Sequence, residues 1–261
     1  MKELLRPPAP YQGGKRNLAG RIIARLGTIP HGCYVEPFVG MGGVFLRRPD
    51  PSPVEVINDV SRDVATLFRV LQRHYVPLMD LLRWQITSRA EFERLVGAAP
   101  DTLTDLERAA RFLYLQRTAF GGKVSGRSFG VSLTAPARFD VTKLGATLEV
   151  VHERLSRVVI ECLPWRDLLA RYDREGTLFY LDPPYFGCED DYGPGVFARE
   201  DFAAMADALG RLKGRFLLSL NDVPEVRRLF AAFPMEGVET SYSVGGGRAG
   251  RGRVGELLIG G

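Results

Sequence analysis

The segment Tyr180-Leu181-Asp182-Pro183-Pro184-Tyr185 constrains this 261-residue chain more than any other. The run that leads into it, Thr177-Leu178-Phe179-Tyr180-Leu181, is apolar and rich in β-formers, which predicts a buried strand. Two consecutive prolines cannot continue a central strand, because neither donates a ladder hydrogen bond. The strand must therefore stop near Asp182 and pass into a rigid loop. In an open α/β sheet, ligands bind at the carboxyl ends of the strands. A carboxylate, a fixed carbonyl and an aromatic ring are thus held together at such an end. That set suits an aromatic amine. The Asp182 carboxylate and the Pro183 carbonyl can accept its two N–H bonds, so that its nitrogen lone pair faces a methyl donor instead of the ring. Tyr185 offers a face on which the base can stack. Positioning and electrostatics can carry such a transfer, without a metal or a covalent intermediate. The competing structural reading, a proline-stiffened turn, is weakened by the strand in front of it.

Upstream, Cys33-Tyr34-Val35-Glu36 reads as a strand, Pro37 to Gly43 as a glycine-rich turn, and Val54-Glu55-Val56-Ile57 as a second strand. The turn is expected to open a helix. Val64, Leu67, Phe68 and Leu71 then recur at helical spacing, completing the parts of a βαβ unit. Gly40-Met41-Gly42 could let the backbone approach a ligand closely. The strict dinucleotide fingerprint fails, because Phe45 stands where a third glycine is needed. Asp59, 19 residues after Gly40, ends the second strand and could accept bonds from ribose hydroxyls. On this motif alone, a ligand site and a plain tight turn with an exposed Asp are equally supported.

From about Arg62 to Glu153 helical stretches dominate, and Phe120 to Gly130 interleaves glycines with aromatics and cations, which predicts a surface turn or hairpin. Strand-like runs return at Val158-Val159-Ile160 and Phe216 to Leu220, and a final pair of strands, Glu239 to Val244 and Val254 to Ile259, flanks a Gly/Arg loop. The order describes an α/β core interrupted by a mostly helical insertion: residues 1–61 and 154–261 form the core, and 62–153 the insertion. Lys and Arg total 35 against 31 acidic residues, a net +4 that permits a polyanionic partner without requiring one. No apolar run is long enough to span a bilayer or to act as a secretory signal. Cys33, Cys162 and Cys188 lack metal-ligand spacing, as do His31, His74 and His152, so no metal is expected, and the thiols read as reduced in a cytoplasmic protein.

Three segments, in order, carry a resemblance. Tyr11-Gln12-Gly13-Gly14-Lys15, Val35 to Gly42 and Asp182 to Tyr185 together resemble the Dam-like (D12 class) adenine-specific DNA methyltransferases, over about residues 10 to 260. The resemblance implies a Rossmann-like S-adenosylmethionine-dependent core with an inserted target-recognition domain that carries a β-hairpin. It implies methyl transfer from S-adenosylmethionine to the amino nitrogen (N6) of an adenine flipped out of double-stranded DNA. By matching positions, Tyr11, Lys15, Phe38, Gly40, Gly42 and Asp59 fall at the cofactor site, and Asp182, Pro183 and Tyr185 around the base. Propensity alone reads Gly13-Gly14-Lys15 as a solvated turn. Glu36 either faces the cofactor or caps the turn. Phe120-Gly121-Gly122-Lys123 sits where relatives place a hairpin that enters DNA, with Phe120 suited to wedging into a stack and Lys123 and Arg127 to phosphates or base edges. Arg117 would support that hairpin. Gly121 and Ser125 depart from the Dam enzyme, so its GATC target does not carry over. Arg248, Arg251 and Arg253 form a cationic loop that reads equally as a phosphate contact or a solvated tip. Glu189-Asp190-Asp191, after the Asp-Pro-Pro-Tyr loop, is expected to be mobile.

Other readings make weaker use of these residues. A methyltransferase acting on protein glutamine or RNA would favour Asn where Asp182 stands, an NAD oxidoreductase needs the glycine that Phe45 replaces, and a DNA-binding module without activity would not need Asp59, Asp182 and Tyr185 intact. A restriction nuclease of the same target is compatible with the sequence, which does not itself point to one.

Overall fold

The structure, a computed structural model, describes residues 5–241 and 253–260 except 133, 135 and 194. Seven strands form one sheet: β1 (Cys33–Glu36), β2 (Val54–Asn58), β3 (Val159–Glu161), β4 (Thr177–Leu181), β5 (Arg215–Asn221), β6 (Met235–Ser241) and β7 (Arg253–Gly260). Their spatial order is β3-β2-β1-β4-β5-β7-β6. The first five run parallel, and β7 lies antiparallel to both β5 and β6. The helices are α1 (Ala19–Gly27), α2 (Arg62–Arg73), α3 (Tyr75–Leu82), α4 (Arg89–Gly97), α5 (Asp105–Thr118), α6 (Val141–Leu155), α7 (Trp165–Tyr172), α8 (Arg199–Leu209) and α9 (Pro224–Leu229). This is the mixed, Rossmann-like α/β fold that the sequence predicts. Among the described residues, no helix is long and apolar enough to cross a membrane.

Side chains alternate across a strand, so successive strand residues should enter opposite apolar layers. They do. Tyr34, Ile57, Leu178, Tyr180 and Leu217 join one cluster with α1 to α6. Val35, Val56, Phe179, Leu181, Leu218 and Ile259 join the other with α7, α8 and α9. Every residue of β4 is buried, as expected of a parallel strand covered on both faces. The chain leaves β1 toward β2 on one side, whereas β4 lies on the other. The C-terminal ends of β1 and β4 therefore flank a topological switch point, the usual place for a ligand crevice.

Among the described residues, 62–153 form no separate core. Leu78, Phe92, Phe112 and Leu148 share the cluster of Tyr34 and Tyr180. Ion pairs add to this attachment. Arg154 of α6 reaches Glu55 of β2 at 2.6 Å, and Arg48 meets the same carboxylate at 2.6 Å. A capping box between Thr104 and Glu107 starts α5, which runs toward the site.

Two local expectations differ from the structure. The glycine turn opens only a short 3-10 turn, Phe45–Arg47, because the prolines that follow (Pro49, Pro51, Pro53) stop helical propagation. The loop after α5 is not a two-stranded hairpin. It folds as a 3-10 turn, Phe120–Gly122, closed by a single antiparallel bridge between Ala119 and Phe129. Gly121 and Gly122 both take positive φ there, a conformation that interrupts a strand.

Candidate functional site

The N-terminal segment, the glycine turn, the Asp182 loop and the loop after α5 meet around one cavity of about 880 Å³. Tyr11, Lys15, Glu36, Phe38, Gly40, Asp59 and Asp182 all line it, as do Arg117 and Gly121. The sequence-predicted residues from three distant segments are thereby brought together.

Lys15 is not in a solvated turn. It is 3% exposed, and its ammonium lies 2.7 Å from Asp182 Oδ1 and 4.5 Å from the centroid of the Tyr185 ring. It also donates to the Gly13 carbonyl at 3.2 Å. Gly13 takes positive φ, which turns the chain so that Lys15 points inward. The Ser219 hydroxyl of β5 donates to Asp182 Oδ1 at 2.9 Å, and Tyr180 shares a hydrogen bond with Ser219 at 3.0 Å. Burial pushes the Asp182 carboxyl above its usual range, while the Lys15 ammonium and the Ser219 hydroxyl pull it back. Pro183 and Pro184 are buried. Asn221 grips the backbone of Phe186 from both sides, accepting its N–H at 2.9 Å and donating to its carbonyl at 3.0 Å.

The glycine turn is tied to the end of β2. Asp59 accepts the Gly40 N–H at 3.0 Å through one oxygen and the Ser61 N–H at 2.9 Å through the other. Its carboxylate therefore shapes the turn as well as lining the cavity. Burial raises it to about 6 against these two amides. A Cβ at Gly40 would fall 2.9 Å from the Tyr11 ring, and Gly40 takes positive φ, so no other residue fits the close approach.

Glu36 ends β1 beneath the cavity and is 2% exposed, with the Tyr34 hydroxyl donating to it at 2.8 Å. Burial pushes its carboxyl up to about 8, opposed by the Tyr34 hydrogen bond and reinforced by the nearby Asp182 charge. A raised native value stabilises the fold fully below the unfolded value and loses that effect as pH rises through 8. Replacing Glu36 by Gln should remove this dependence. Thermal unfolding is expected to show Glu36→Gln gaining stability relative to the parent between pH 5 and pH 8, by roughly a few kcal/mol at most. Parallel pH curves for the two proteins would contradict the buried protonated carboxyl.

The loop after α5 divides the predicted DNA-binding residues. Phe120 is 45% exposed and Lys123 is exposed, as a contacting tip requires. Gly122 is buried instead, and a Cβ there would meet the Pro10 backbone at 2.9 Å. Its carbonyl accepts from Gln12 N at 3.1 Å, so it docks the loop on the N-terminal segment. Arg127 turns inward to Gln116 Oε1 at 3.0 Å, and Arg117 donates to the carbonyls of Pro8 and Arg138, each at 2.9 Å. These three hold the loop in place, because the helix end and loop leave carbonyl and amide oxygens that need donors. Arg248 and Arg251 lie outside the described residues.

Sequence reasoning missed Tyr192 and Ser219. The acidic segment after the Asp182 loop forms a 3-10 turn, Glu189–Tyr192, and Glu189 pairs with Arg199 at 2.8 Å. Tyr192 stacks on Tyr11 at 5.8 Å between centroids and donates to the Gln12 carbonyl at 2.9 Å. Three consecutive acids masked the aromatic that anchors the turn. Ser219 was visible only as a lone hydroxyl inside an apolar strand. Among the described residues, no group of three or more His, Cys, Asp or Glu is arranged to hold a metal ion.

Known proteins resemble this chain over nearly its whole length. A type II methyltransferase of Lactococcus lactis subsp. cremoris, M1.LlaDCHI, is 25% identical over 98% of this chain and 95% of its own length. The DNA adenine methylase of Vibrio cholerae serotype O1 is 26% identical over 95% of this chain and 93% of its own. A type II methyltransferase of Paramecium bursaria Chlorella virus NC1A, M.CviBI, is 22% identical over 97% and 96%. Residues 11–243, which span the N-terminal lysine, the glycine turn and the Asp182 loop, match the model of one family, and the chain belongs to it: the D12 class N6 adenine-specific DNA methyltransferases.

Proposed function

We propose that the methyl donor is S-adenosylmethionine and that the target adenine is flipped out of duplex DNA into the cavity beside Asp182. The observation that carries this reading is the placement of Asp182, braced by Lys15 and Ser219, on the wall of a cavity of about 880 Å³. The residues present fit the donor: the Gly40 turn leaves room that a Cβ would close, and Tyr11, Phe38 and Asp59 line the adjoining wall. When bound, the donor supplies an electrophilic methyl group on a sulfonium. The chain does the rest by positioning. Asp182 and the Pro183 carbonyl accept the two N–H bonds of the amine and direct its lone pair outward. Tyr185 stacks the base, and this contact offsets the few kcal/mol that extrusion costs. As nitrogen becomes positive, its bonds to Asp182 strengthen, and the spare proton passes to solvent or to the carboxylate. Methylation of plasmid DNA with labelled S-adenosylmethionine, followed by digestion and mass spectrometry, should yield N6-methyladenine. Methylcytosine as the product, or no transfer from this donor, would contradict the reading.

Target choice falls to the insertion, residues 62–153, through the loop after α5. Phe120 and Lys123 project from it without lining the cavity. Phe120→Ala and Lys123→Ala should therefore weaken DNA binding and leave donor binding within twofold. For Lys123→Ala, the slope of log affinity against log salt should fall by about 0.9, the signature of one lost phosphate contact. Titrations at several salt concentrations check this, and weakened donor binding with an unchanged salt slope would place the loop elsewhere in the mechanism. The names of two relatives, both type II methyltransferases, favour a modification role alongside a nuclease of the same target.

A further inference from the structure

The cavity changes character from floor to mouth. Its acidic lining residues are each engaged by the protein itself: Glu36 by the Tyr34 hydroxyl, Asp59 by the Gly40 and Ser61 amides, and Asp182 by Lys15 and Ser219. Three arginines, Arg6, Arg16 and Arg47, line the same cavity. Arg6 and Arg16 are exposed and Arg47 is half-buried, so they stand at the mouth.

The backbone brings the last two together. Lys15 points inward to Asp182, whereas Arg16, next in sequence, is exposed. Gly43 lies between this segment and Arg47: a Cβ there would fall 3.5 Å from the Lys15 amide nitrogen and 3.8 Å from Arg47 Nη1. Arg47 also donates to the Gly43 carbonyl, which directs its guanidinium back over the glycine turn. Arg6 precedes Pro8, whose carbonyl accepts from Arg117 at 2.9 Å, so this end of the N-terminal segment is docked on α5. Among the described residues, none of the three guanidiniums is paired with a carboxylate. Burial first, then the charges of Arg16 and Arg6, hold the Arg47 guanidinium below its usual range. An anion between them would relieve that repulsion, and the planar guanidinium fork suits the oxygens of a phosphate.

An extruded nucleotide brings such an anion. Its base enters the cavity, while its sugar and the two flanking phosphates stay at the mouth. We propose that Arg16 and Arg47, with Arg6 beside them, bind the backbone phosphates that flank the extruded adenine. The inference rests on the reading that the target base is flipped. Phosphate contacts position a nucleotide without reading sequence, which separates this rim from the loop after α5. The carboxylate of the donor has related anionic chemistry, so the test must tell the two apart.

Arg16→Gln, Arg47→Gln and the double variant test this in the full chain, with Arg211→Gln, an exposed arginine that does not line the cavity, as control. Modified-base sequencing of DNA methylated by the parent first maps the target site, and a duplex carrying that site is then titrated at several salt concentrations. Each single variant should lower the slope of log affinity against log salt by about 0.9, and the double variant by about 1.8, with Arg211→Gln unchanged. KM for S-adenosylmethionine should stay within twofold throughout. Uncharged methylphosphonates in place of the two phosphates flanking the adenine should weaken binding to the parent about tenfold, and to the double variant by less than about twofold. Equal methylphosphonate losses in both proteins would put the arginine contacts elsewhere on the DNA and overturn the proposal. So would a raised donor KM with an unchanged salt slope, which assigns the arginines to the donor carboxylate. The mapping step separates the two levels: no N6-methyladenine in duplex DNA sinks the flipped-base reading itself, whereas a mapped site with unchanged slopes sinks only the arginine rim.

Discussion

Asp182→Ala should reduce methylation by roughly 10³-fold or more while S-adenosylmethionine still binds. The expectation follows from what Asp182 does at each stage. In the free protein its carboxylate is paired with Lys15 at 2.7 Å and with Ser219 at 2.9 Å, so it is already oriented before a substrate arrives. No reorganisation is then needed as charge develops on the amine, and preorganised groups of this kind account for about 10²–10³-fold each when removed. In the proposed arrangement Asp182 would also set the direction of the nitrogen lone pair, a second contribution that a diffusing acceptor could not replace. The donor should be affected far less, because Tyr11, Phe38 and Asp59 line the cavity independently of Asp182. Calorimetric titration of the variant should give an affinity within about threefold of the parent, roughly 0.7 kcal/mol. Asp182→Asn keeps an acceptor but not the charge, and should fall between the two. Single-turnover rates decide the matter. A rate for Asp182→Ala within tenfold of the parent would remove Asp182 from the chemistry, and an equal loss in donor affinity would make it a binding residue.

The parts of this site that could be read from the sequence are those in which covalent structure forces geometry. Two prolines after an apolar run can only end a strand, and a strand end in a parallel sheet is a ligand edge, so Asp182 was legible without any fold in hand. Gly40 and Gly42 were legible as positive-φ positions, and both take that conformation. The residues whose placement local propensity does not reveal have ambiguous local chemistry. Lys15, in a Gly-Gly-Lys turn, has the composition of a solvated tip, and only the long-range approach of Asp182 explains its burial. Arg127 looks like a phosphate ligand in a basic loop, yet it donates to Gln116 of the protein itself, while Arg117, expected to support the loop, donates to the Pro8 and Arg138 carbonyls. Arginine donates equally well to a carbonyl, an amide oxygen or a phosphate, so its type does not reveal its partner. Glu256 was invisible for the opposite reason. A single acid in an apolar stretch reads as an outward-facing strand residue, whereas Glu256 is fully buried opposite Asn221. The division of 62–153 from the core followed the change in periodicity, which does not report that α2 to α6 share one apolar cluster with the sheet.

Lys15→Met should move the acid limb of the pH–rate profile to higher pH, and lower activity about 10²-fold at neutral pH. Lys15 both pairs with Asp182 and faces Tyr185, and the carboxyls of Glu36 and Glu256 act on the same small volume. Burial already raises the Asp182 carboxyl, and the Lys15 ammonium is the main influence that holds it down. If, as proposed, the ionised carboxylate accepts the N–H and balances the positive charge developing on the amine, activity should be lost as pH falls through the Asp182 value. Without the ammonium that value rises further, and a larger share of the protein carries a protonated, inactive Asp182 at neutral pH. Removing one partner of a buried pair costs about 3–5 kcal/mol. Asp182 keeps only 18% exposure, so solvent does little to replace the lost ammonium and the acid limb moves to higher pH. Raising the pH should therefore restore much of the lost rate in Lys15→Met, and Lys15→Arg, which keeps the charge, should show the smaller shift. Met preserves most of the buried volume, so packing loss is limited. Rates measured from pH 5 to pH 9.5 at saturating donor separate this role from simple donor binding. If Lys15 served only to hold the donor, KM for S-adenosylmethionine would rise and the acid limb would stay where it is in the parent.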